Sequence, residues 1–186
     1  MNNVQQEQDL QLVLNDGERN IRMIRNEDKN AVINSYEVFP GIELIYYDMN
    51  LRDYTEQYGK NKKILDIDHC LEGRIEYKDR DSYYYLSGGD LAVGGRDSDS
   101  GQRYYPLGHF KGITVRIDLN AAPEDLSVLL DGVSVRPSEL YEKFCSEKGF
   151  YVLRGSRSIE HIFSELYEIP ENIRKGYCRL KILELM

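Results

Sequence analysis

ILDIDHCLEGRIEYKDRDSYYYLSGGDLAVG, residues 64–94, is the stretch on which the fold turns. From Leu65 to His69 the side chains alternate, with Leu65, Ile67 and His69 on one face and Asp66 and Asp68 on the other. A period of two is the mark of a β-strand whose faces meet different surroundings. Glu72-Gly73 reads as a turn, after which Arg74-Ile75-Glu76-Tyr77-Lys78 alternates on the way back. Asp79-Arg80-Asp81-Ser82 reads as a second turn before Tyr83-Tyr84-Tyr85-Leu86. Ser87-Gly88-Gly89-Asp90 makes a third, leading into Leu91-Ala92-Val93-Gly94. Glycines at these turns supply the positive φ that tight reversals require.

Upstream, Pro40-Gly41 turns into Ile42–Met49, rich in aromatic and β-branched residues and therefore a strand. Asn20 to Ile33 reads as a hairpin around the charged turn Asn26–Asn30, residues 1–20 as a loosely ordered polar arm, and residues 50–63 as a loop. Downstream, a polar loop from Arg96 to Arg103 precedes Tyr104–His109 and a strand over Gly112–Asp118. About seven short strands with regular turn signals indicate an antiparallel sandwich or barrel. Beyond residue 120 the period becomes helical. Ala122-Pro123 opens a short helix, and Pro137 opens another that buries Leu140 and Phe144 and stops at Gly149. Phe150–Leu153 is extended. Ser158 caps a helix carrying Ile159, Ile162, Phe163, Leu166 and Ile169. A last helix follows Pro170, with Ile173, Tyr177, Leu180, Leu183 and Leu185 apolar. It reaches Met186 without a stop signal, so the chain is expected to continue. The expected organisation is an arm and barrel over residues 1–120 and a helical segment over 121–186.

The 186 residues carry a net charge of −8, which disfavours direct contact with nucleic-acid phosphates. The N-terminus lacks the basic and apolar regions of a secretory signal, and no apolar run is long enough to span a membrane, so the cytoplasm is the expected compartment. Cys70, Cys145 and Cys178 are odd in number and widely spaced, as expected of reduced thiols. No phosphate-binding glycine loop, Gly-x-Ser-x-Gly or His-Glu-x-x-His occurs.

The block His69-Cys70-Leu71-Glu72-Gly73-Arg74-Ile75-Glu76-Tyr77, followed by Tyr85–Val93, resembles the first cupin motif. Tyr105–His109 with Gly112–Val115 resembles a loose second motif. Together with Ser158–Tyr167 and Arg179–Leu185, the order resembles the N-terminal half of bacterial AraC-type transcription regulators over roughly residues 35–186. The resemblance implies a cupin-like antiparallel β-barrel followed by amphipathic helices. It also implies a sensor that binds a small polar effector, such as a sugar, forms a homodimer through its helices, and reaches DNA only through a C-terminal helix-turn-helix domain outside this chain. It implies no enzyme and no cofactor. The alternative is a stand-alone metal-dependent cupin enzyme of the sugar isomerase or dioxygenase type.

The residues set the terms of that choice. Metal-binding cupins present several histidines and a glutamate. Here His69 stands with Cys70 and Leu71 in place of a second histidine, and His109 is the sole candidate downstream, so no metal is expected. His69 shares its face with Leu65 and Ile67, apolar enough for a barrel interior, and Tyr46 with Ile42 and Leu44. The chain's 15 tyrosines combine ring and hydroxyl, as a small polar ligand requires. The expected ligand-binding set is therefore His69, Tyr46, Leu65, Ile67, Tyr84, Tyr105 and His109. Each could equally be a packed residue of the sheet. The expected dimerisation set is Ile173, Tyr177, Leu180 and Leu183, on a helix whose apolar stripe must also cover the barrel.

Overall fold

Alternation at period two recurs along most of the chain, and the computed structural model shows where each face goes. It describes residues 10–15, 17, 19–25, 30–60, 62–79, 82–96, 100–126, 134–145, 150–155 and 157–186. The strands are β1 (Leu10–Asn15), β2 (Arg19–Arg25), β3 (Asn30–Phe39), β4 (Ile42–Asn50), β5 (Asp53–Gln57), β6 (Ile64–Asp79), β7 (Ser82–Ser87), β8 (Leu91–Arg96), β9 (Ser100–Tyr104), β10 (Phe110–Asp118) and β11 (Phe150–Leu153). The helices are α1 (Pro137–Cys145), α2 (Arg157–Glu168) and α3 (Arg174–Leu185), with a 3-10 turn over Glu171–Ile173. The strands form a mostly antiparallel half-barrel in the order β1-β2-β3-β4-β10-β6-β8-β11. The end of β6 carries a smaller flap in which it pairs with β7 and β9, and β9 with β5. Among the described residues no helix is long and apolar enough to cross a membrane.

The two faces of the large sheet have different partners. Leu44, Leu65, Ile67, Leu91, Val93, Ile113, Val115 and Ile117 pack beneath Ile162, Phe163 and Leu166 of α2 and Ile182 of α3. Each such side chain, fully removed from water, contributes about 1.5–3 kcal/mol. The opposite face curls over the flap and encloses Ile33, Ile45, Tyr47, Tyr54, Ile75, Tyr77, Tyr105 and Phe110.

Several expectations are corrected. Glu72-Gly73 does not reverse the chain. β6 runs on as a single strand of 16 residues, with a register shift opposite Lys111/Gly112 that bends it from the large sheet into the flap. Gly73 has φ of 84°, and a Cβ there would lie 2.3 Å from the His109 carbonyl oxygen, so only glycine fits the bend. The polar segments 50–63 and 96–103 contain β5 and β9, because the flap buries one side of each. Residues 10–15 of the expected arm form β1, paired with β2. Residues 122–126 are not helical. The Asp118 carbonyl takes the amides of Ala121 and Ala122, and Leu126 N–H bonds the Val135 carbonyl. α2 begins at Arg157, ahead of the expected cap at Ser158. The arm's residues 1–9, the hairpin tip at 26–29, the turn at 80–81, residues 127–133 and the stop at Gly149 lie outside the described residues, as does the Ser158 side chain.

Candidate functional site

The enclosed face holds charge where a barrel core is usually apolar. Asp66 and Asp68 project inward from β6, Thr114 and Arg116 from β10, Arg96 from β8, Arg103 from β9 and Glu56 from β5. Arg116 holds Asp66 in a fork, Nε to Oδ1 at 2.9 Å and Nη2 to Oδ2 at 3.0 Å, and reaches Glu56 at 3.4 Å. Arg96 bonds Asp68 at 3.0 Å, and Arg103 lies 3.4 Å from Asp66. Tyr47 donates to Glu56 at 2.7 Å and Tyr77 to Asp68 at 3.1 Å. Three carboxylates thus meet three guanidiniums, the arrangement in which buried charges are tolerated. Burial alone would raise the Asp66 carboxyl, but the Arg116 guanidinium, supported by Arg96 and Arg103, holds it below the ordinary range. Glu56 follows the same pattern: burial raises it, and Arg116 and then Arg103 bring it lower.

Above this network the half-barrel opens into a cleft of about 510 Å³. Its walls come from β1 and β2 (Asn15, Asn20, Arg22), β3 and β4 (Ser35, Glu37, Glu43), β5 and the segment after it (Gln57, Tyr58, Lys62), and β10 (Arg116, Asp118). The size falls within the range of small-molecule sites, and the polar lining suits a polar guest. Arg116 links the two regions, since it lines the cleft while its guanidinium is anchored in the network and stacked 4.7 Å over Tyr58. At the rim Gly41 has φ of 69°, and a Cβ would lie 2.5 Å from the Ala122 amide nitrogen, so this corner closes tightly on the loop after β10.

The expected site residues do not converge on this cleft. His69, Leu65 and Ile67 face the helices and not the barrel interior, because the helix layer rather than the barrel takes the apolar face of β6. His69 stacks on Phe163 with ring centroids 4.3 Å apart, and its Nδ1 lies 3.3 Å from the Tyr167 hydroxyl. Burial pushes the imidazole down to about 4, opposed by Asp90. Tyr46 lies on the same face and donates its hydroxyl to the Leu166 carbonyl at 2.8 Å. Tyr105 does point inward, wholly buried and stacked on Phe110, whereas Tyr84 is half-buried against Phe150. His109 is exposed. Among the described residues no three His, Cys, Asp or Glu side chains gather as a ligand set. Of the expected dimerisation set, Ile173 lies in the 3-10 turn before α3 and is exposed, as is Leu180 on α3, whereas Tyr177 bonds Glu165 and Leu183 packs partly on the core.

The residues that do line the cleft, Arg22, Ser35, Glu37, Glu43 and Arg116, fall outside the expected set. A charge in mid-strand reads as solvent-facing when each strand is taken alone. The available signal was that Asp66 and Asp68 alternate on one strand while Arg116 holds the equivalent phase on another, so that opposite charges share a face.

No protein-family model matches the chain, and no curated protein matches it. Among solved structures, the AraC-like transcriptional activator CuxR superimposes with a TM-score of 0.55 at 12% identity, over 94% of this chain and 58% of its own. The chain thus spans little more than half of that activator's length. The EutQ protein of Clostridium difficile gives a TM-score of 0.38 at 12% identity, over 50% of this chain and 71% of its own. Ectoine synthase from P. lautus gives 0.34 at 14%, over 77% and 81%. The likeness to the activator is one of fold.

Proposed function

We propose that this chain is the effector-sensing and dimerisation part of an AraC-type transcription regulator, and that the effector occupies the polar cleft of the half-barrel. The observation that carries the reading is the cleft itself, preformed, polar and floored by Arg116 over a buried ion network. The fold likeness to an AraC-like activator across 94% of the chain supports it. In this reading the chain recognises a small polar metabolite without transforming it, acts in the cytoplasm as a homodimer, and is joined to a helix-turn-helix domain that contacts DNA.

The strands supply a physical link between effector and helices. β3 and β4 present Ser35, Glu37 and Glu43 to the cleft on one face, and Tyr36, Val38 and Tyr46 to the helices on the other. The Val38 carbonyl accepts a bond from Arg179 of α3 at 2.9 Å, and Tyr46 holds the end of α2. A ligand that draws β1 and β2 against β3 biases the position of α3, and with it the exposed pair Ile173 and Leu180. The test is a thermal-shift screen of polar metabolites against the purified chain. DNA binding by the whole protein is then measured with and without each stabilising compound. A compound that raises the melting temperature and changes DNA affinity is the expected result. Identical DNA binding with and without every stabilising compound, or no stabilising compound at all, would overturn the reading.

A further inference from the structure

Sheet register sets the residues that line the cleft in three rows, from half-buried Arg22 at one end to exposed Glu37 at the mouth of the other. Arg22 of β2 stands opposite Ile33 of β3, Asn20 opposite Ser35, and Glu37 opposite Glu43 of β4, which in turn faces Arg116 of β10. Arg22's row and Glu37's row are four residues apart along β3, about 13 Å. The cleft is therefore polarised, with a cation at one end and two carboxylates at the other.

Its other charges are already paired. Lys62 bonds Asp118 at 2.9 Å, and Arg116 is committed to Asp66 and Glu56. Among the described residues Arg22, Glu37 and Glu43 have neither a hydrogen bond nor an ion pair to their side chains. Glu56, the buried carboxylate that feels Arg22, is itself held by Arg116 and Arg103. Two carboxylates directly opposite across a strand pair repel unless a cation lies between them. Midway between the ends Ser35 lines the cleft. It is 3% exposed, and its hydroxyl has no partner among the described residues.

Resting on the reading of the cleft as the effector site, we infer that its ligand is a dipolar small molecule. An ammonium or guanidinium lies between Glu37 and Glu43, a carboxylate or similar anion meets Arg22, and the Ser35 hydroxyl bonds the body between them. Side chains reaching in from both ends shorten the span to that of a small amino acid. A neutral polyol would leave both ends uncompensated, and a simple anion or cation would satisfy one end and oppose the other.

The test uses isothermal titration of the purified chain with three probes of one length: 6-aminohexanoate, hexylamine and hexanoate. 6-Aminohexanoate is expected to bind at least about tenfold more tightly than either singly charged probe. The double variant Glu37→Gln with Glu43→Gln reduces it to the affinity of hexanoate, and Arg22→Met reduces it to that of hexylamine. Circular dichroism and unfolding midpoints close to those of the unaltered chain establish that these variants fold. Equal binding of all three probes, or none up to about 10 mM, overturns the inference. Ser35→Trp, which places an indole in the middle of the cleft, separates the two levels. If a neutral sugar binds, is blocked by Ser35→Trp and ignores the glutamine substitutions, the dipolar ligand is wrong and the cleft remains the effector site. If ligands bind regardless of Ser35→Trp, the cleft is not the site.

Discussion

Both oxygens of Asp66 are taken by Arg116, and Arg96 and Arg103 stand within 3.5 Å of the same carboxylate. Removing one member of such a buried set leaves the others charged and uncompensated. Asp66→Ala is expected to cost about 3–5 kcal/mol in urea unfolding at neutral pH, far more than the packing of the one small group it deletes. A loss below about 1 kcal/mol would mean that water reaches the network. His69 makes the opposite kind of prediction. Free histidine takes its proton near 6.5, whereas the folded one, buried against Phe163 and Tyr167, is pushed down to about 4. Between those values the unfolded chain binds the extra proton, so the His69 contribution is level above pH 6.5 and is lost as pH falls toward 4. His69→Phe should flatten the stability profile in that window by up to about 1.4 kcal/mol per pH unit, read from unfolding free energies of the two proteins at matched pH. An unchanged slope would place the imidazole in water. Neither environment was legible from the residue alone: a strand histidine among leucine and isoleucine is buried, but sequence does not say against what.

β6 is the element that joins the large sheet to the flap, and its bend at Gly73 is where the two meet. A β-carbon at this position meets the His109 carbonyl, and the backbone conformation is one that L-residues avoid. Gly73→Ala is expected to lower stability by about 2 kcal/mol or more, with Gly89→Ala as the comparison. Gly89 has the same φ of 84° but open space around its missing Cβ, so the difference between the two variants isolates the clash. Equal effects would mean that the bend is held elsewhere. The Glu-Gly signal correctly located a break in the strand. It misjudged the kind of break, because a bulge and a turn both call for glycine at positive φ. What separates them is whether the flanking segments pair with each other, and here both pair with third strands.

Across the whole molecule the helices lie against one face of the large sheet and the cleft opens on the other, so β3, β4 and β10 lie between ligand and helix layer. The exposed side chains of Ile173, just before α3, and Leu180 on it contrast with buried Cys178 and Ile182 on the turns between and after them. In the proposed dimer Leu180, 62% exposed, lies at the subunit contact. Leu180→Glu is expected to convert the chain from dimer to monomer in sedimentation velocity at micromolar concentration, with an unchanged circular dichroism spectrum. A chain that is already monomeric, or a variant that remains dimeric, would move the contact off α3.

That this is a β-rich chain with helices after it, and which residues alternate, follows from local sequence, because the period of a strand or helix is a local property of the backbone. That alternation placed Leu65, Ile67 and His69 on one face and Asp66 and Asp68 on the other, as found. Which of those faces lines the half-barrel depends on long-range packing. Both faces are buried, one under helices from the far C-terminal part of the described chain and one under a flap of short polar strands. A charged face enters an interior when opposite charges from distant strands meet it there. That pairing depends on which strands become neighbours, and no single segment carries the information.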